Sequence, residues 1–246
     1  MATIRGYHRP TSVADALDLL ARPEVISAPL AGGTSLNAGA ADSVDEVVDL
    51  QAVGLASITD GAVIEFGAMV TLRQLIDHPT TPPLLRDLAH REGPNTIRNA
   101  ATVGGTVAAA DPESGFVAAL LASGAELTVT RNSGVEQVPV SDFLDGFELD
   151  GGLITALRVT VGGDSAYEAT ARTPADTPIV LVAGHRSEDG TLRIAATGVA
   201  SVPRLIDPAG DLAFDPLADF RGSTEYRHEL VRVLAKRVLT RLGGAS

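Results

Sequence analysis

A chain of 246 residues, 45% of them hydrophobic, is long enough for two or three modest domains around a substantial core, and nothing in it suggests disorder. Its net charge of −12 and sparse aromatic residues argue against nucleic acid or an anionic membrane as partner, because both need a basic surface. The absence of cysteine excludes disulfides, iron–sulfur ligation, thiolate zinc sites and cysteine nucleophiles, so metal-centred redox chemistry must come from another chain.

The first residues carry no apolar signal core, and no run of about 18 apolar residues follows, so a soluble, cytoplasmic protein is expected. Ser12 is a plausible N-cap for a helix with Val13, Ala16, Leu17 and Leu20 on one face, Asp15 in its first turn and Pro23 as its stop. Residues 25–30 read as a buried strand and 46–50 as another, giving a small α/β unit over residues 1–54. Beyond Ile58, residues 62–66 read as a strand, and 71–76, 82–91 and 115–123 as helices. A hairpin follows, with strands 126–130 and 135–140 about Asn132-Ser133-Gly134, and then a strand at 153–161. This middle domain, 55–162, reads as mixed, with a largely antiparallel sheet. The polar linker Gly162-Gly163-Asp164-Ser165 opens a third domain, 163–246. Three strands are expected there at 167–171, 178–186 and 192–201, then a closing helix over 224–242 with Leu230, Val231, Leu234, Val238 and Leu242 as its apolar stripe. The fold class is α+β.

Two stretches carry the chemistry. Ala31-Gly32-Gly33-Thr34-Ser35 breaks an apolar run with a glycine pair and two hydroxyls. Thr102-Val103-Gly104-Gly105-Thr106 repeats the arrangement. Glycine pairs allow positive φ, and successive N–H groups can then converge on an anion such as a phosphate. A single glycine pair more often marks an ordinary turn, but two such nests could hold one diphosphate between them. No G-x-G-x-x-G follows a predicted strand, and neither a P-loop nor a G-x-S-x-G elbow is present. His8, His78, His90, His185 and His228 include no pair at metal-ligand spacing, so no metal site is expected.

AGGTSL at 31–36 and TIRNAATVGGTVAAADPESGF at 96–116 resemble the two FAD diphosphate loops of the flavin-binding medium subunits of molybdenum hydroxylases, the carbon monoxide dehydrogenase and xanthine dehydrogenase family. The likeness continues at Tyr7-His8-Arg9-Pro10 and at residues 64–71, 196–204 and 220–227. It implies a two-part FAD-binding fold followed by a C-terminal domain of three strands and a helix. It also implies an FAD diphosphate held by Ala31, Gly32, Gly33, Thr34 and Ser35 from the first domain and by Thr102, Val103, Gly104, Gly105 and Thr106 from the second. Ile154 falls where the family sets an apolar residue against the flavin region, and Asp176 is retained in a segment near the flavin. Arg98 and Asn99 match a pair that precedes the second loop and would brace it. In this family a molybdenum-cofactor subunit oxidises the substrate, an iron–sulfur subunit relays the electrons, and the FAD subunit passes them to an external acceptor; no side chain of the FAD subunit is expected to be catalytic.

The sequence departs from that pattern in three places. Gly115 replaces an aspartate that grips the adenosine ribose, so that grip is missing unless Glu113 or Ser114 supplies it. Ala169 replaces a lysine near the flavin. Residues 37–45 are too few for a helix usual after the first loop. Gly115 and Ala169 keep open an alternative: a stand-alone member of the fold, acting as a small-molecule flavoenzyme or, having lost FAD, as a scaffold.

Overall fold

Ser12 ends an extended segment and its hydroxyl accepts the Asp15 N–H at 3.1 Å, so the first helix, α1 (Val13–Leu20), begins where the N-cap chemistry places it. The computed structural model describes residues 4–36, 44–173, 176–208, 210, 214, 216 and 218–243; the short stretch after the first glycine loop lies for the most part outside these. α1 follows β1 (Gly6–His8) and is followed by β2 (Ser27–Leu30) and β3 (Glu46–Asp49), which form a parallel sheet in the order β1-β3-β2. The strand β1 was not expected. It has three residues of alternating exposure, too short a run for periodicity to mark. It is anchored by the Tyr7 hydroxyl, which donates to the buried Asp49. Ala16 and Leu17 of α1 pack on Val48, Leu50, Val53 and Leu153, the last of these from the middle domain, so the first unit is sealed against the second.

The middle unit is one antiparallel sheet in the order β4-β5-β8-β6-β7, built from β4 (Ile58–Thr59), β5 (Val63–Gly67), the hairpin β6 (Glu126–Arg131) and β7 (Gly134–Pro139), and β8 (Leu153–Thr160). A bulge at Thr155, whose hydroxyl bonds Thr130 Oγ1 at 2.9 Å, interrupts the β6–β8 ladder beside Ile154. Between β5 and β6 run α2 (Leu72–Asp77), α3 (Pro83–Ala89), α4 (Asn95–Arg98), α5 (Val103–Ala109) and α6 (Gly115–Ala122); α7 (Val140–Leu144) follows β7. All eight residues of α6 are buried, as an evenly apolar helix must be.

α6 explains how the last unit attaches. The C-terminal sheet has four antiparallel strands, one more than expected, in the order β12-β11-β10-β9: β9 (Asp164–Thr170), β10 (Val180–Arg186), β11 (Leu192–Ala196) and β12 (Arg204–Ile206). The run expected as one strand at 192–201 ends at Ala196, because Gly198, at φ 69°, turns the chain back and Pro203 leads into β12. Leu181, Ala183 and Ala195 face the core that contains α6. Val180, Val182, Ile194 and Ala196 face α8 (Thr224–Arg241) through Val231, Leu234, Ala235 and Val238. The glycine linker is thus a turn in the chain, and the hydrophobic core runs on across it. No helix among the described residues is long and apolar enough to cross a membrane.

A charged clamp fastens the same junction. Arg221 pairs with Glu113 on the loop before α6 and with Asp219 at 2.7 Å; Arg227 reaches Asp219 at 2.9 Å; and the Gly198 N–H donates to the Pro112 carbonyl at 2.9 Å. Burial opposes ionisation of Asp219, but hydrogen bonds from Arg221 and Arg227 outweigh it and hold the carboxyl well below the usual carboxylate range. With a lowered pKa in the folded state, its stabilising contribution is complete above the unfolded value of about 3.9 and is lost as pH falls through the folded one. Asp219→Asn should therefore melt earlier at neutral pH and show a shallower acid decline below about pH 4 than the parent. Coincident acid-melting curves would show that the clamp carries no stability.

Candidate functional site

The first glycine pair leaves β2 directly. Gly33 has φ of 71°, a region that residues with a Cβ rarely enter. Gly32 is required by close approach: a Cβ there would lie 1.8 Å from the Ala100 carbonyl oxygen, so the first loop rests backbone to backbone on the segment leading into the second. Among the described residues, the N–H groups of Gly32, Gly33, Thr34 and Ser35 donate to no protein acceptor. They form a short run of unspent donors.

The second loop is built differently from the expected nest. Gly104 and Gly105 do not take positive φ; they lie in the first turn of α5, whose N-cap is Thr102. Their N–H groups are already used, Gly104 to the Ala68 carbonyl at 3.0 Å and Gly105 to Thr102 Oγ1 at 3.1 Å. Here glycine is demanded by closeness. A Cβ at Gly104 would stand 2.7 Å from Ala68 Cβ, and one at Gly105 would stand 2.9 Å from Thr102 Oγ1 and 3.7 Å from Ala31 Cβ. This loop therefore offers a bare backbone surface facing the first loop, together with the Thr102 hydroxyl. That hydroxyl accepts from Gly105 and has its own proton left to donate.

Both loops open on one cavity of about 280 Å³. Of the residues expected from the sequence, it gathers Ala31, Gly32, Gly33, Thr34, Ser35, Thr102, Gly104, Gly105 and Ile154. Three others do not line this cavity. Val103 is fully buried beneath the loop, because its position in the first turn of α5 points it into the core. Thr106 turns its hydroxyl back to the Thr102 carbonyl at 2.9 Å. Asp176 lines a different hollow. The cavity's apolar wall, among it Pro29, Leu50, Met69, Leu149 and Leu153, carries no signal in the sequence separating it from ordinary core.

A second hollow, of about 820 Å³, is lined from the next residues of the chain. Ala109 lines the first, Asp111 lines the second, and Ala110, in a left-handed conformation at φ 48°, makes the turn between them. Its other walls include His90, Glu92, Arg98, Gly115, Asp176 and Leu181. Arg98 is buried; it donates to the carbonyls of His90 and Gly93 and to Asn95 Oδ1, bracing the wall, while its Nε has no partner. Gly115 starts α6, and a Cβ there would meet Leu181 Cδ1 at 3.3 Å. Neither neighbour is free to replace an aspartate at this position: Glu113 is held by Arg221, and the Ser114 hydroxyl accepts the Val117 N–H at 3.1 Å. The carboxylate actually present is that of Glu92, whose Oε1 accepts from the Phe116 N–H at 2.8 Å and from the Ser114 hydroxyl at 3.0 Å. Burial pushes this carboxyl up to about 7, and those two hydrogen bonds offset the rise only in part.

Ala169 lines a third hollow of about 630 Å³ with Arg91, Tyr167, Arg172 and Arg241. Arg91 also borders the second hollow and sits 5.6 Å from the Tyr167 ring centroid. The cations of this region are therefore arginines on neighbouring elements, with Arg172 paired to Asp176 at 3.5 Å.

Residues 2–159 match the family model described as the FAD binding domain in molybdopterin dehydrogenase. The carbon monoxide dehydrogenase medium chain of Afipia carboxidovorans is 30% identical over 274 aligned positions, covering 96% of this chain and 95% of the relative. The glyceraldehyde dehydrogenase medium chain of Sulfolobus acidocaldarius is 27% identical over 94% of this chain and 96% of its own. Among solved structures, carbon monoxide dehydrogenase from Hydrogenophaga pseudoflava, in a form lacking the Mo-pyranopterin moiety of its molybdenum cofactor, matches with a TM-score of 0.87 at 25% identity, over 99% of this chain and 98% of that one.

Proposed function

Because the chain belongs to the family of FAD-binding medium subunits of molybdenum hydroxylases, we propose that it takes electrons from iron–sulfur centres of a partner chain and passes them to an external acceptor. It is an FAD-dependent oxidoreductase subunit, and the substrate is oxidised on a further chain that holds the molybdenum cofactor. With no cysteine of its own, this chain cannot ligate an iron–sulfur cluster through thiolates, so the electrons must arrive from outside it.

The observation that carries this reading is the convergence of two glycine loops on one cavity. Four unspent N–H groups on residues 32–35 and the Thr102 hydroxyl can donate to the anionic oxygens of a diphosphate, while Gly104 and Gly105 keep the opposite wall free of side chains. About 280 Å³ is at the small end for a ligand site and suits the diphosphate with one flanking group; the rest of the cofactor extends past Ala110 into the second hollow. When bound, FAD supplies the redox chemistry, exchanging electrons between donor and acceptor. The protein's own residues bind and orient it. Leu153, Ile154 and Met69 give the first cavity an apolar wall, and Arg98 stiffens the wall of the second.

Affinity purification of the chain from its source organism tests the assignment of partners. Co-elution with chains that carry iron–sulfur absorbance and stoichiometric molybdenum is the expected result. A flavin-containing chain that elutes alone and is reduced directly by a small molecule would instead establish the stand-alone reading.

A further inference from the structure

Glu92 is the least accounted-for group in the protein. It stands between the apolar end of α3 and Gly93-Pro94, at the edge of the second hollow, and among the described residues it makes no ion pair. The charged groups around it are committed elsewhere: Arg98 to the carbonyls of His90 and Gly93, Glu113 to Arg221, and Asp176 to Arg172. Arg91, His90 and Asp111 share the hollow without bonding to it. The hydrogen bonds from the Ser114 hydroxyl and the Phe116 N–H both fall on one oxygen, Oε1, which fixes the carboxylate at the start of α6. The Gly115 N–H also donates to this carboxylate, and no side chain donates to Oε2. Capping α6 would not by itself require an acid here, since Ser114 already serves as N-cap, and a half-buried carboxylate without a cation is costly unless something else donates to it. Beside it, Arg98 Nε is sealed and unpartnered, a second polar group of the same hollow left unsatisfied.

We propose that Glu92 is a ligand-binding residue of the second hollow, its Oε2, to which no side chain donates, accepting a hydrogen bond from a hydroxyl or ring N–H of the FAD that extends there. The inference rests on the FAD reading above. Oε2 replaces, from a different element, the carboxylate that Gly115 lacks, and a hydroxylated ligand satisfies it where water or a cation would otherwise be needed.

A donor on the ligand favours the ionised acid. Burial pushes the Glu92 carboxyl up to about 7, so affinity should be highest above that pH and fall below it, where a proton competes with the ligand for the same carboxylate. The test is an FAD titration of flavin-free protein, followed by flavin fluorescence over about pH 6 to 8, for the parent and Glu92→Gln. The parent should lose affinity toward acid by up to about tenfold per pH unit, and Glu92→Gln should bind about tenfold or more weaker at the alkaline end and show no slope. A variant that keeps both the parent's affinity and its slope overturns the inference and leaves Glu92 as a helix cap. If Glu92→Gln does not fold, the parent decides alone, and a flat profile overturns the proposal. Failure of the parent to take up FAD at any pH overturns the cofactor reading itself, a result separate from loss of the Glu92 effect.

Discussion

Gly33→Val and Gly105→Val are each expected to purify as folded, colourless proteins whose affinity for FAD is reduced about a hundredfold or more. The two act through different causes. Gly33 holds φ at 71°, and a β-branched residue forced there would rotate the peptide planes on either side, turning away the unspent N–H groups of residues 32–35. Gly105 sits in unstrained helix, but its missing Cβ faces Thr102 Oγ1 at 2.9 Å and Ala31 Cβ at 3.7 Å, so a valine would close the gap between the loops and displace the Thr102 hydroxyl. Flavin absorbance and a thermal melt, recorded together, separate loss of binding from loss of fold. Normal flavin content in both variants would show that these loops are not where the diphosphate sits.

Arg227→Ala should be the most destabilising single change on the polar framework, by about 3–5 kcal/mol, the cost of leaving buried polar partners uncompensated. Arg227 is 3% exposed; its guanidinium donates to the carbonyls of Ile179 at 2.7 Å and Gly198 at 3.1 Å and pairs with Asp219 at 2.9 Å. It thereby ties α8 to the residue that leads into β10, to the turn that follows β11, and to the clamp on the loop before α6. For a chain of this length the melting temperature should fall by roughly 10 °C or more. A variant melting within a degree or two of the parent would mean that α8 is held by its apolar face alone.

Most of the fold was legible because its signals are local. Ser12, the apolar run of α6, the Asn132-Ser133-Gly134 turn and the stripe of α8 each declare an element within about ten residues. β1 and β12 were not legible, since three-residue strands exist only through their partners, β3 and β11. The two glycine loops stood out as motifs, but their mechanism was only half readable. Positive φ is correct for Gly33. Gly104 and Gly105 are glycines because Ala68 and Ala31 approach them from distant parts of the chain, which no spacing reveals. Asp176 lines the second hollow and not the cavity of the glycine loops, a placement made by the fold that no sequence spacing reveals. Glu92 was invisible for the opposite reason. In sequence it is one surface-type acid among 31 acidic residues, and only the fold puts it against the start of α6.

The claim on which the rest depends is that this chain holds FAD between its two glycine loops. Flavin-free protein mixed with excess FAD, desalted and measured by absorption spectroscopy tests it most directly. The account predicts a flavin spectrum with one FAD retained per chain, and its loss in Gly33→Val; a folded parent protein that emerges colourless after mixing would contradict it.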